Sequence, residues 1–206
     1  MANDTSDRIL DCAQALMVER GYNAFSYADI AETVAVSKAT IHFHFPTKAV
    51  LAEHVVRRYR ESAMANLSHL SGQVPDAPAR LEAYVNYWEG CIRENKPLCM
   101  CALLAAEILT LPAEVSAEVR AFFRGLEDWL AGTLEDGARQ GSLRLNRNAV
   151  LEAKSLFSAV YGAMLAARVF ADAAAFSAVT ADAISRLKVE KTGAVAHGVG
   201  AGRADF

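Results

Sequence analysis

A chain of 206 residues, 53% of them hydrophobic, has room for one large or two small domains and enough apolar material for a core, which excludes global disorder. The formal net charge of −3 gives no sign of nucleic-acid binding. Five prolines and abundant Ala, Leu, Glu and Arg favour long helices, and no alternating strand pattern appears, so an all-α fold is expected.

The opening residues MANDTSDR are polar and acidic, unlike a signal peptide. The most apolar runs, 98–106 and 159–167, stop at Glu107 and Arg168, short of the roughly 18–20 residues a bilayer span needs. A soluble cytoplasmic protein with no membrane partner is expected. Cys12, Cys91, Cys99 and Cys101 lack the framework of a secreted disulfide scaffold.

A first helix is predicted over residues 5–20, with Ile9, Leu10, Ala13, Leu16 and Met17 on one apolar stripe and Gly21 suited to a left-handed cap. Ser26, with Asp29 three residues on, resembles a capping box opening a second helix, which buries Ile30 and Val34. Ala35, Val36 and Ser37 form a turn, with Ser37 capping a short third helix that Pro46 ends. Ile41 and Phe45 face its core, while Lys38, Ala39, His42 and Phe43 face outward. Thr47 caps a fourth helix running to about residue 70, with a break over 71–75.

Further helices are predicted over about 78–94, from after Pro97 to Leu109, and from after Pro112 to Gln140, where Gly141 closes the last of these. Asn146 or Asn148 opens another, which runs to about Phe170 and carries a seam of small residues at Ala159, Gly162, Ala163, Ala166 and Ala167. Phe176, Val179, Ile184 and Leu187 mark the last, giving about nine helices in all. Three parts follow: a helix-turn-helix head at 1–48, a regulatory and dimerisation body at 49–190, and a Gly/Ala-rich disordered tail at 191–206.

The helix, turn, short helix and following helix across 25–51 have the layout of a DNA reader, since a major groove about 12 Å wide admits one helix. Residues 1–60 hold seven basic and seven acidic side chains, so the inference rests on the motif and not on charge. Lys38 and Lys48 are candidates to neutralise phosphates, and the Ser26, Thr40 and Thr47 hydroxyls to hydrogen-bond them. Tyr27, Ser37, Ala39, His42, Phe43 and His44 complete the candidate DNA-contacting set. An ordinary helical hairpin would share this spacing.

The first ~55 residues resemble the tetracycline-repressor (TetR) family of transcriptional regulators. The shared residues are Ile9, Ala13, Gly21, Tyr22, Ile30, Ala31, Val36, Ser37, Lys38, Thr40, Ile41, His44, Phe45, Lys48 and Leu51. The resemblance implies a DNA-binding head on an all-helical ligand-binding body. It also implies a homodimer through the last two helices of each subunit, and a palindromic double-stranded operator. The family often has Gly where Ala35 and Ala39 stand, and Tyr where His42 stands. The outer face of the third helix lacks Arg, Asn and Gln, the usual bidentate base readers. Readout is therefore expected from Lys38 on guanine, from Ala39 and Phe43 on thymine methyls, and from DNA shape.

Residues 75–170 are expected to enclose a pocket for an unknown small-molecule effector, with Tyr84, Trp88, Leu103, Leu104, Phe123, Trp129 and Tyr161 as candidate lining; each of these also fits a plain core. Cys99 and Cys101 fall at a predicted helix N-terminus near Arg93 and Lys96, where a thiolate is favoured. Residues two apart diverge on a helix, so Cys91 is the expected partner of either. The cysteines fit three readings: packing, thiol sensing in which modification of Cys99 or Cys101 releases DNA, or metal binding with His69 as a fourth ligand. No catalytic constellation, Gly-rich phosphate loop or cofactor motif is present, so the chain reads as a transcriptional regulator, a repressor by its resemblance, and not as an enzyme. A purely structural helical protein is the remaining class.

Overall fold

The structure, a computed structural model, describes residues 2–189. The expected tail at 191–206 lies outside the described residues. Within them the chain forms nine helices: α1 (Ala2–Arg20), α2 (Tyr27–Val34), α3 (Lys38–His44), α4 (Lys48–Gln73), α5 (Ala77–Arg93), α6 (Met100–Ala106), α7 (Ala113–Gln140), α8 (Ala149–Phe170) and α9 (Ala173–Ser185).

Local chemistry sets most of the boundaries. Gly21 ends α1 in the left-handed region, at φ 77°. Ser26 and Asp29 form the full capping box at the start of α2. Ser37, Thr47, Asp76, Asn148 and Asp172 each accept a backbone N–H as N-caps of α3, α4, α5, α8 and α9. Ala35 closes α2 at φ 57°, ψ 47°, a left-handed conformation that a Cβ disfavours.

Two boundaries differ from expectation. The fourth helix continues to Gln73, because the buried Arg80 secures the loop after it: Nε donates to Val74 O at 2.8 Å, Nη2 to Pro75 O at 2.9 Å and Nη1 to Asp136 at 2.8 Å. The helix after Pro97 begins at Met100 and stops at Ala106 instead of reaching Leu109, and the chain turns through Glu107 to Thr110. The side chain of Glu107 is drawn away to the head, where it accepts from Tyr22 N. A short antiparallel pairing, also unforeseen, joins Leu143 to Lys188, with Arg144 N donating to Leu187 O at 2.7 Å.

The head is α1, α2 and α3 around Ile9, Ala13, Met17, Ile30, Val34 and Ile41, all buried, and α4 enters the same core through Leu51, Ala52, Val55 and Val56. Arg8 donates to Val34 O at 2.7 Å and satisfies the end of α2. Beyond the head α4 lies along α7. Gly125 permits their approach, since a Cβ there would meet the Met64 sulfur at 2.7 Å. Glu118 of α7 bridges two arginines of α4, accepting from Arg57 Nε at 3.1 Å and Arg60 Nε at 2.8 Å. Burial alone would raise the Glu118 pKa, but these bonds outweigh it and hold the carboxyl below its usual range. The tie therefore contributes stability above the unfolded carboxylate pKa and loses it as pH falls through the folded value.

The outer face of α8 and α9 is apolar and uncovered, with Leu165, Val169, Phe170 and Val179 between 46% and 77% exposed. The small residues Gly162 and Ala166 lie on the same exposed side of α8. By length and composition α8 as a whole, at mean hydropathy 1.3 over 18 residues, would suffice to cross a membrane, which the shorter apolar runs did not suggest. A third of that stretch is buried against the rest of the fold.

Ala35→Gly relieves the left-handed strain at the end of α2 and is expected to stabilise the protein by about 1 kcal/mol, raising Tm by about 2–4 °C. A thermal melt showing no increase would contradict this reading of the turn.

Candidate DNA-reading face and regulatory cavity

The outer face of α3 is uncovered. Lys38, Ala39, His42 and Phe43 are exposed, and Phe43 is 83% so, while Ile41 and Phe45 beneath are buried. An exposed phenylalanine at that level offers a surface to an apolar group such as a thymine methyl. Ser37 caps α3 through Thr40 N at 3.0 Å and hydrogen-bonds the Thr40 hydroxyl at 2.9 Å. Thr47 and Ser26 remain exposed beside the N-termini of α4 and α2, while each serves as a cap. His44 is half-buried against Phe43. His42 Nδ1 lies 3.1 Å from Pro46 O, an acceptor, so Nδ1 carries the proton. Nε2 then offers a proton to a phosphate only as the imidazolium.

Two candidate DNA-contacting residues are turned inward. Tyr27 is buried, and its hydroxyl donates to Phe45 O at 2.8 Å, joining α2 to the end of α3. Burial pushes its phenol up to about 12. Lys48, expected to meet phosphate, donates through Nζ to Phe25 O and lies over the Tyr22 and Phe25 rings, at 4.7 and 4.3 Å from their centroids. Burial lowers its pKa, partly offset by Glu107 and Asp29.

Glu107 acts on the same turn from the body. One carboxylate oxygen accepts from Tyr22 N at 3.0 Å, Asn23 N at 3.3 Å and Asn23 Nδ2 at 3.1 Å, and Asn23 also bonds Thr110. Sequence reasoning did not single out Glu107 as a site residue, since its partners lie more than 80 residues away.

Between α1, α4, α5, α7 and α8 lies a cavity of 660 Å³. Of the seven residues expected to line an effector pocket, Tyr84, Trp88 and Tyr161 line this cavity. The other four are placed elsewhere. Leu104 is fully buried in the core, and Leu103 is half-buried on α6. Phe123 packs on Phe157 and Tyr161, and Trp129 Nε1 donates to Leu67 O at 3.2 Å and Ser71 Oγ at 2.9 Å. The missed lining comes mainly from α4, including Arg58, Tyr59 and Asn66, and from α1 through Asp11 and Gln14. Arg58 Nη2 donates to Asp11 at 2.7 Å and to Gln14 at 3.4 Å, so the cavity wall is partly made of the head.

The cysteines are arranged differently from expectation. Cys99 is the N-cap of α6 and not part of the helix, so the two-residue divergence does not apply. Cys91 is buried beside Tyr87 instead. Burial resists ionisation of Cys99, but hydrogen bonds from Cys101, Tyr161 and Tyr59 and the Ala102 N–H outweigh it and hold its pKa below the usual thiol range. The Tyr161 hydroxyl donates to the sulfur at 3.4 Å. The proton shared with Cys99, and burial, push Cys101 the other way. The metal reading finds no support in the geometry: His69 is exposed on α4 while the three thiols are buried, and no cluster of metal-ligating side chains occurs among the described residues.

An exposed short helix seated by a turn, on a helical body, is the layout of a helix-turn-helix DNA-binding protein. Residues 9–55 match the family described as bacterial regulatory proteins, tetR family, and residues 77–183 match the tetracyclin repressor-like C-terminal domain. A TetR-family regulator from Agrobacterium tumefaciens is 45% identical, covers 92% of this chain and all of its own, and superposes with a TM-score of 0.88. The repressor KstR2 of Rhodococcus jostii is 27% identical over 155 residues, 69% of this chain and 72% of its own. The reduced form of Escherichia coli NemR, 19% identical over 89% of this chain and 97% of its own, shares the fold with a TM-score of 0.81. The chain belongs to the TetR family and is a DNA-binding transcriptional regulator, a class distinct from enzymes.

The two lysines are expected to separate. Lys38→Ala leaves Tm unchanged and makes the slope of log K against log salt shallower by about 0.9 for each phosphate that Lys38 neutralises. Lys48→Met lowers stability by about 1–2 kcal/mol, because methionine cannot replace the cation over the two rings or the bond to Phe25 O. A Lys48→Met protein with wild-type Tm and a shallower salt slope would make Lys48 a phosphate ligand first.

Proposed function

We propose that the chain is a homodimeric cytoplasmic repressor that reads a palindromic operator with α3 and releases it when a small molecule fills the cavity. The observation that carries the release step is the composition of the cavity wall. Asp11 and Gln14 of the head and Arg58 of α4 all border it, so an occupant touches the head and the body at once. An occupant that prefers one setting of α1 against α4 shifts the population of heads able to span two successive major grooves, about 34 Å apart.

The exposed apolar face of α8 and α9 is the proposed dimer surface. Small residues at Gly162 and Ala166 allow close helix approach, and Leu165, Val169 and Val179 supply the apolar area. Leu165→Glu with Val169→Glu is expected to give a monomer by light scattering and to weaken operator binding by about 100-fold or more, since one head then binds without the other. A double variant that stays dimeric would move the interface elsewhere.

A second reading has one specific observation in its favour. Tyr59 and Tyr161 line the cavity, and the Tyr161 hydroxyl donates to Cys99 at 3.4 Å, so a thiol held below its usual pKa sits one side chain from the cavity. An electrophile entering there would alkylate Cys99 or Cys101 and release DNA. Operator titration with N-ethylmaleimide, in wild type and Cys99→Ser, separates the two: release confined to wild type supports the thiol trigger, and unaffected binding in both returns the cysteines to packing.

A further inference from the structure

Two polar groups on residues that line the cavity are left without partners by the fold. Among the described residues the buried side-chain N and O atoms lacking a hydrogen bond are Tyr84 Oη, Trp88 Nε1 and Thr133 Oγ1. The first two belong to residues one turn apart on α5, and both residues line the cavity. An unpaired buried polar group costs free energy that native folds rarely leave uncompensated, so two in one corner call for an explanation.

The chemistry of this corner is one-sided. An indole N–H can only donate. Burial, with Cys99 next, pushes the Tyr84 phenol above its usual range, so it too keeps a proton to give. The Trp88 N–H is directed towards the phenol oxygen, lowering its pKa in part, without completing a hydrogen bond to it, so the two groups lie near each other. The surrounding walls are flat and apolar, with Tyr59, Phe122, Leu126 and Tyr161 opposite. The cationic side chain on the wall, Arg58, is already engaged by Asp11 and Gln14. An anion would lose its hydration at Tyr84 and Trp88 without a free counter-charge.

We propose that the cavity takes an uncharged, flat aromatic ligand bearing a carbonyl-type oxygen, and that this oxygen accepts hydrogen bonds from Trp88 Nε1 and Tyr84 Oη. The proposal rests on the reading of the cavity as the effector site and names the chemistry that site selects. Its volume of 660 Å³ accommodates a molecule of several rings, within the ordinary range for small-ligand sites.

Equilibrium dialysis of the full-length protein without DNA tests this with four probes: 2-acetylnaphthalene, 2-ethylnaphthalene, 2-naphthoate and choline. The ketone is expected to bind at least about tenfold more tightly than the hydrocarbon of the same shape, and more tightly than the anion or the cation. Tyr84→Phe and Trp88→Phe, each checked for fold by circular dichroism, should shrink that preference while leaving 2-ethylnaphthalene affinity within about twofold of wild type. Equal binding of ketone and hydrocarbon, preference for 2-naphthoate or choline, or no binding of the ketone would overturn the proposal. Operator titration with the ketone is read separately. A ketone that binds with the expected preference but leaves DNA affinity unchanged upholds the ligand chemistry and removes the effector role.

Discussion

The structure depends on the anchoring of one turn, residues 21–26, between the head and the body. From below, the Lys48 ammonium at the start of α4 donates to Phe25 O and faces the Tyr22 and Phe25 rings. From the side, Glu107 takes the Tyr22 and Asn23 amides. Gly21 is required at this point, because its φ of 77° suits glycine and a Cβ there would fall 1.9 Å from the Glu107 carboxylate. The turn orients α2, α2 seats α3 through Tyr27, and α3 carries the exposed reading face. Lys48, through aromatic rings and a carbonyl, and Glu107, through backbone amides, thus hold the turn on which the placement of α2 and α3 depends.

The same anchoring links the body to the head. α4 is shared by both cores and is braced to α7 by Glu118 with Arg57 and Arg60. Two further ties cross from body to head: Glu107 to the turn, and Arg58 to Asp11 and Gln14 at the cavity wall. Under the proposed function, a molecule in the cavity competes with or reinforces the second tie, while the first transmits any displacement of α6. Such coupling needs only differential affinity for two settings of the head, and a few kcal/mol suffices.

Much of this was legible in the sequence, and the rest was hidden for identifiable reasons. Helical spacing correctly turned Ile41 and Phe45 inward and Lys38, Ala39 and Phe43 outward, because a short helix on a core has one buried stripe. Caps such as Ser26, Ser37, Thr47 and Gly21 were readable because their partners lie within four residues. Tyr27 and Lys48 were not, since Phe45 O and Phe25 O are 18 and 23 residues away. Apolar side chains on α5 to α8 could be assigned to an interior but not divided between core and cavity wall. Leu104 fell to the core and Trp129 lies half-buried against α4, while Arg58 and Asn66, polar and on α4, fell to the cavity. For the thiols, a helix start at Met100 changed the geometry of Cys99, and helix ends are where local pattern is weakest.

The most direct test of the central claim is amide hydrogen exchange across the head in wild type and Glu107→Ala, paired with operator titration of both. If Glu107 holds the turn that orients α3, the variant exchanges faster over residues 21–26 and on through α2 and α3, keeps its protection in α7 and α8, and binds operator more weakly. Unchanged exchange in α2 and α3 with wild-type operator affinity would contradict the account and leave α4 alone to carry the head.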